Sequence, residues 1–294
     1  MHSPLPIFAL LINAFIWGLS WWPFRLMHDA GLHPLWATAF MYALVLIGLV
    51  ALRPQALKMA WQYPVLILLA ASSGMNNVAF NWAVTVGDVV RVILLFYLMP
   101  AWAVLLAWKL LGERPTSTAL LRLLLAFGGV ILVLLPADAS LTGLFAGLSL
   151  ADALAVFGGF MFALTNVLLR RFQSIPTQAR MLAMFAGCMS MGLAVALVTS
   201  CMGGVPNFPA FDANWLMVAL GMAVLLVLGN WALQFGAAHL PSSITSIVML
   251  SEVVFASVSA VLIAHEALSM RTLAGGALIM AAALLAALGR ARQK

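Results

Sequence analysis

Charge is what this chain has least of. Lysine, arginine, aspartate and glutamate make up 7% of its 294 residues, against about 25% in a soluble domain, and so sparse a charged surface could not keep one compact globule in water. Cysteine is nearly absent too. Cys188 and Cys201 fall thirteen residues apart on one expected helix, which the helical rise converts to about 20 Å, whereas a disulfide needs α-carbons within about 7 Å. They read as small buried hydrophobes that do not pair with each other. None of the three lysines (Lys58, Lys109, Lys294) closes a Gly-x-x-x-x-Gly-Lys-Ser/Thr loop, which excludes nucleotide hydrolysis by that device. His265-Glu266 lacks the second histidine of a zinc-binding helix, and the five histidines are scattered along the chain. Gly-x-Ser-x-Gly is missing as well, which removes the nucleophile-elbow hydrolases. No metal or cofactor is expected, and the chain is not expected to be an enzyme.

Apolar side chains take the place of the missing charge, at 65% of the sequence. They fall in long stretches divided by short polar breaks, and about 20 such residues suffice to cross a bilayer as a helix. Ten stretches qualify: 5–27, 35–52, 63–86, 89–111, 117–136, 149–169, 181–202, 214–238, 242–264 and 272–289. The expectation is an all-α integral membrane protein of ten transmembrane helices. The first stretch has no basic lead-in and is too long for a signal peptide, so it counts as a span.

Arg and Lys give the orientation. With both termini cytoplasmic, the inside receives Arg53, Lys58, Lys109, Arg114, Arg122, Arg170, Arg171, Arg180, Arg290, Arg292 and Lys294, and the outside only Arg25, Arg91 and Arg271. Eleven against three is a positive-inside distribution. The net charge of +6 is thereby explained by topology, and no nucleic-acid partner is needed. The expected partners are the lipid bilayer and a small-molecule substrate.

The chain is also one unit written twice. Apolar helices lead to Glu113 and to Glu266, Asn81-Trp82-Ala83 recurs as Asn230-Trp231-Ala232, and Trp17 with Arg25 recurs as Phe162 with Arg170. The offsets of 153, 149 and 145 fit parallel copies separated by short loop changes, over residues 1–140 and 141–294. Five helices per copy is an odd number, so the copies enter the membrane from opposite sides. Two inverted five-helix repeats around a midplane site are a recurrent transporter architecture, because pseudo-equivalent halves can exchange inward-open and outward-open shapes.

Polar side chains are costly in lipid and should face the bundle interior. In the third span Ser73, Asn77, Asn81 and Thr85 recur every four residues, and Asn230 and Gln234 repeat the last two in the eighth. Asn13, Trp17, Ser20 and Trp21 cluster in the first span, and Phe162, Thr165 and Asn166 in the sixth. Tyr97 and Pro100 mark the fourth, and Thr245, Ser246 and Glu252 the ninth. These six spans, with Trp231 beside Asn230, are expected to line one cavity in which amides and hydroxyls hold the ends of a zwitterion and aromatic faces its apolar body. Competing roles stand beside these. Intramembrane Asn and Gln also bridge helices, Trp17 and Trp21 suit an interfacial aromatic belt, and Pro100 is a kink as well as a candidate gate. Glu252 is the sole acid deep in a span, a candidate for proton coupling or a neutral acid bonded to a neighbouring helix. Glu113 and Glu266, at helix ends, cap loops or latch gates. Asp88 and Arg91 sit at the outer mouth, where a gate ion pair competes with plain solvation.

Trp17-Gly18 with Arg25, Pro100 with Leu111-Gly112-Glu113-Arg114, Gly128-Gly129-Val130, Arg170-Arg171, Glu252 and Glu266 occur in this order over nearly the whole chain. In this it resembles the drug/metabolite transporter superfamily, specifically its ten-helix EamA-type exporters. The resemblance implies a multi-pass protein of the cell inner (plasma) membrane that exports small metabolites by alternating access. Members that look like this export amino acids, including aromatic residues, methionine and threonine, and others move sugar phosphates or drugs. Val253 departs from the family's second-copy proline, and Met99 from a frequent first-copy acid. Two other classes fit the sequence less well. An intramembrane enzyme lacks a nucleophile, base and acid set, and a structural subunit has no reason to align a polar stripe.

The topology is testable by cysteine labelling of intact cells after replacing Cys201. Asn207→Cys should react with an impermeant reagent and Gln293→Cys should not; the reverse pattern would overturn the orientation.

Overall fold

The computed structural model describes residues 4–112, 117–134, 148–240 and 248–291. These form thirteen helices: α1 (Leu5–Gly18), α2 (Trp21–Asp29), α3 (Pro34–Leu52), α4 (Gln55–Trp61), α5 (Leu66–Val86), α6 (Val89–Phe96), α7 (Met99–Leu111), α8 (Ser117–Leu134), α9 (Leu150–Arg171), α10 (Thr177–Cys201), α11 (Ala213–His239), α12 (Ser251–Ile263) and α13 (Met270–Ala291). Among the described residues there is no strand.

Six stretches are long and apolar enough to cross a membrane: Leu5–Asp29, Pro34–Leu52, Val89–Leu110, Leu150–Arg171, Thr177–Cys201 and Ala213–Leu233. Shorter apolar helices cover Ser117–Val133, Ser251–Ile263 and Met270–Leu285. The third expected span, α5, is absent from this set because Ser72, Ser73, Asn76, Asn77 and Asn81 dilute its apolar content. Exactly ten spans is therefore a finer count than the described helices establish. Residues 242–247 of the ninth expected span and the 140/141 repeat boundary lie outside the described residues.

Two spans are broken by proline. Pro23 has no N–H to give the Leu19 carbonyl, which accepts from Trp22 instead at 3.2 Å, and the chain turns between α1 and α2. Pro100 likewise withholds a donor from the Phe96 carbonyl at the α6–α7 break. That carbonyl faces Gly159 of α9, where a Cβ would lie 2.5 Å from the oxygen. Gly112 ends α7 in the left-handed region at φ 73°, the conformation that glycine adopts without a Cβ penalty.

The repeats are inverted. Arg25 at the end of α2, Gly87 after α5, Val89 at the start of α6 and Glu266 after α12 meet at one end of the bundle. Arg91 and Asp152, the latter in the first turn of α9, meet there too. The first repeat thus runs toward this end at α1–α2, whereas its counterpart α9 starts from it. Helices exchange partners accordingly: α5 packs on α9 and α10, and α11 packs on α1 and α3. Helices α8 and α13 pair with each other.

Close packing in lipid depends on small residues at the helix interfaces. A Cβ on Gly187 of α10 would overlap the Ala70 backbone of α5, and one on Gly74 would overlap Gly187 in turn. Gly129 and Gly275 oppose each other between α8 and α13, each approaching the other's carbonyl. Gly187→Val should therefore lower the thermal unfolding midpoint in detergent by an amount equivalent to about 1–3 kcal/mol of overpacking. Gly221→Ala, with nothing within 4 Å of the new Cβ, should not; equal melting of the two variants would contradict the α5–α10 packing.

Candidate functional site

A cavity of about 230 Å³ lies at mid-depth between the repeats. Its walls draw on α1, α3, α5, α9, α10, α11 and α12 and on the α6–α7 break, but not on α8 or α13. Most of the wall is apolar or aromatic: Trp17, Tyr42, Phe80, Phe96, Tyr97, Phe162 and Phe185 supply rings, and Met99, Met184 and Met249 supply thioethers. Polar groups come from the α5 stripe and its neighbours. The Tyr42 hydroxyl donates to Asn77 Oδ1 at 2.6 Å, and Asn77 Nδ2 donates to the Ser73 carbonyl at 3.0 Å. Ser73 Oγ lies 3.5 Å from Cys188 Sγ. Asn13 Nδ2 donates to Met249 Sδ at 3.4 Å. The Tyr97 hydroxyl lies beside the Glu252 carboxyl, and Glu252 is the one acid among the described lining residues.

Asn13, Trp17, Asn77, Tyr97, Phe162, Thr165, Asn230 and Glu252 all lie in this wall. Other expected lining residues sit elsewhere. Trp21 is buried and donates through Nε1 to Ser259 Oγ at 3.0 Å, joining α2 to α12. Ser20 bonds back to the Trp17 carbonyl. Asn81 Nδ2 donates to Thr38 Oγ1 of α3 at 2.9 Å, and Thr85 bonds to the Asn81 carbonyl. Asn166 is exposed and bonds to the Phe162 carbonyl. Trp231 is 65% exposed on the outer side of α11, stacked on Phe235. Pro100 occupies the first turn of α7. Glu113, Thr245, Ser246 and the side chain of Gln234 lie outside the described residues. Tyr42, Phe80, Met184, Phe185 and Met249 were missed from sequence: an apolar side chain facing a cavity has the same pattern as one facing lipid. Tyr42 carried a signal, as one of three tyrosines and set deep in an apolar run, and so did Asn76, a polar wall residue next to Asn77 that was missed as well.

At the Arg25 end of the bundle charged groups join the two repeats. Glu266 Oε1 accepts from Arg25 Nη2 at 3.2 Å and from the Val89 amide at 2.9 Å, and Oε2 accepts from the Val90 amide at 3.2 Å. A carboxylate over the first turn of α6 is favoured by the helix dipole. Arg25 also donates to the Gly87 carbonyl at 2.6 Å and lies over the Trp21 ring. His265 adopts φ 54°, which turns Glu266 back so that its own amide reaches the Ala260 carbonyl at 3.2 Å. Beside this cluster, Arg91 grips Asp152 with two bonds of 2.7 and 2.9 Å, while Asp152 and Ser149 form the capping box of α9. Among the described residues no group of three or more His, Cys, Asp or Glu could hold a metal ion.

The two repeat asparagines are thus separated by location. Asn81→Ala should lower the melting temperature by the loss of one interhelical hydrogen bond, about 1 kcal/mol, with little change in the substrate concentration for half-maximal flux. Asn230→Ala should raise that concentration more than it lowers melting. An Asn81→Ala variant that melts like wild type but binds substrate poorly would place Asn81 in the wall.

The amino-acid sequence matches the model of the EamA-like transporter family over residues 4–135 and 149–288, one match for each repeat. No curated protein matches the chain. A solved structure, described as the crystal structure of a protein, is 18% identical, has a TM-score of 0.61 and covers 98% of each chain; at that identity the likeness is one of fold. With its family match spanning both repeats, this chain belongs to the EamA-like transporter family of the drug/metabolite transporter superfamily, multi-pass membrane proteins that move small molecules.

Proposed function

We propose that the protein is a secondary transporter that exports small metabolites, above all amino acids with aromatic or other apolar side chains, methionine or threonine, by alternating access. The observation that carries this reading is the mid-depth cavity between two inverted repeats, closed on the Arg25 side by contacts that join both repeats. Closure by an ion pair and two helix-terminal amides is reversible, since water can replace each bond. Tyr97, beside Glu252, sits at the α6–α7 break. A substrate seated there touches a hinge and an acid together. By its basic asymmetry the Arg25 side faces outward, with both termini in the cytoplasm of a cell whose inner membrane holds the protein.

Glu252 is proposed as the proton carrier. A carboxyl among apolar walls can load a proton when the site faces the acidic compartment and release it when the site faces the alkaline one. An exporter coupled in this way runs faster when the compartment on the Arg25 side is the more acidic. Reconstitution in liposomes with a panel of labelled amino acids tests the reading. Flux of at least one of them should be saturable and should increase with an imposed gradient of that sign, and the residual flux of Glu252→Gln should ignore the gradient. Wild-type flux indifferent to pH would make Glu252 structural and leave the substrate gradient alone to set direction. No flux of any compound would remove the transport reading.

A further inference from the structure

The described wall of the cavity holds unmet acceptors. Several of its hydroxyls are already engaged within the protein: Tyr42 bonds to Asn77, Thr165 to Ser72 or the Met161 carbonyl, and Ser73 lies against Cys188. Asn13 Oδ1 and Asn76 Oδ1 are buried in the wall without a hydrogen-bond partner, a state that costs free energy until something donates to them. The charge balance leans the same way. Glu252 is in the lining, whereas no lysine, arginine or histidine is, and residues 241–247, which precede Met249 and lie outside the described residues, contain none in sequence. The aromatic rings add a further preference, because their faces attract cations and offer nothing to an anion.

An anionic group entering this cavity would leave water and find no counter-charge in the wall. An ammonium group would find a carboxyl, two unpartnered carbonyl oxygens and ring faces. We propose that the cavity recognises its substrate through a protonated amine carried on an aromatic or apolar body, and that the substrate's carboxylate is dispensable. The chemical class is primary ammonium compounds, in which amino-acid amides and simple aralkyl amines rank with or above the parent amino acids, while carboxylic acids lacking the amine are excluded. This rests on the transport reading for its biological meaning but concerns binding, so the two are tested apart.

The experiment uses a matched series sharing one phenyl group: phenylalanine, phenylalaninamide, phenethylamine and 3-phenylpropionate. Binding to the purified full chain is followed by tryptophan fluorescence, since Trp17 lies in the wall. Phenylalaninamide and phenethylamine should bind at least as tightly as phenylalanine, and 3-phenylpropionate at least roughly tenfold more weakly. Glu252→Gln should weaken amine binding by roughly tenfold or more, the usual size of losing one charged hydrogen bond. Glu252→Asp, which keeps the charge but withdraws it, should give a smaller loss and serves if the Gln variant does not fold. Tight binding of 3-phenylpropionate, amine binding insensitive to both Glu252 variants, or no binding by any member would each overturn the proposal. In liposomes, amine binding without flux would sink the transport reading and leave this one standing. Flux of the acid without the amine would do the opposite.

Discussion

Both repeats meet in one carboxylate. Glu266 follows the last turn of α12 in the second repeat, yet its oxygens receive Arg25 and the first amides of α6, all from the first repeat. The amides at a helix start have no partner within their own helix, so the carboxylate satisfies two of them while the dipole favours its charge. The left-handed turn at His265 makes this geometry reachable. With that contact in place, α2, α5, α6 and α12 converge at one end of the bundle and the cavity below them has a roof. Trp21 extends the closure inward by lying beneath Arg25 and bonding to Ser259. The Arg91–Asp152 ion pair joins the repeats at the same end beside it.

The second constraint is the cost of polar groups in lipid, and it explains both what the sequence disclosed and what it concealed. The repeat, the all-helical class and the family motifs could all be read from residue spacing. So could the inward placement of Asn13, Asn77, Thr165, Asn230 and Glu252, since lipid leaves such residues nowhere else to go. Which interior surface each one faces could not be read. The α5 stripe shows why. A step of four residues advances about 40° around a helix, so from Ser73 to Thr85 the stripe turns through about 120°. Ser73 and Asn77 face the cavity, while Asn81 has rotated onto Thr38 of α3 and Thr85 back onto its own backbone. Trp231 follows Asn230 by one residue, about 100° away, which carries it from the cavity side to the outer face. The apolar part of the wall had no such signature, and Met184 and Phe185 came to light only through the packing of α10. The helix breaks were marked in sequence by Pro23 and Pro100, but whether a proline bends a span or divides it depends on which carbonyl accepts the displaced bond.

The cavity and its roof bear on function together. Phe96 and Tyr97 end α6, whose first amides hold Glu266. Tyr97 in turn lies beside Glu252 at the start of α12, whose far end leads to Glu266. One short helix from each repeat therefore runs from the cavity to this end of the bundle. A substrate or proton that alters the Tyr97–Glu252 contact acts on the inner ends of the two helices whose outer ends form the latch. Under the proposed alternating access, α6 and α12 would be the pair that couples the cavity to this end of the bundle.

The central claim is that the Glu266 contact is one state of a two-state closure. The direct measurement is the distance distribution between spin labels at His28→Cys and Ala267→Cys, both exposed positions on either side of the latch, in a chain whose exposed Cys201 is replaced by serine. Alternating access predicts a short distance in the latched state and a distinct longer population that grows in Glu266→Gln and changes again when a ligand fills the cavity. A single distribution that neither the Glu266 variant nor any ligand displaces would show that this end of the bundle is a fixed wall.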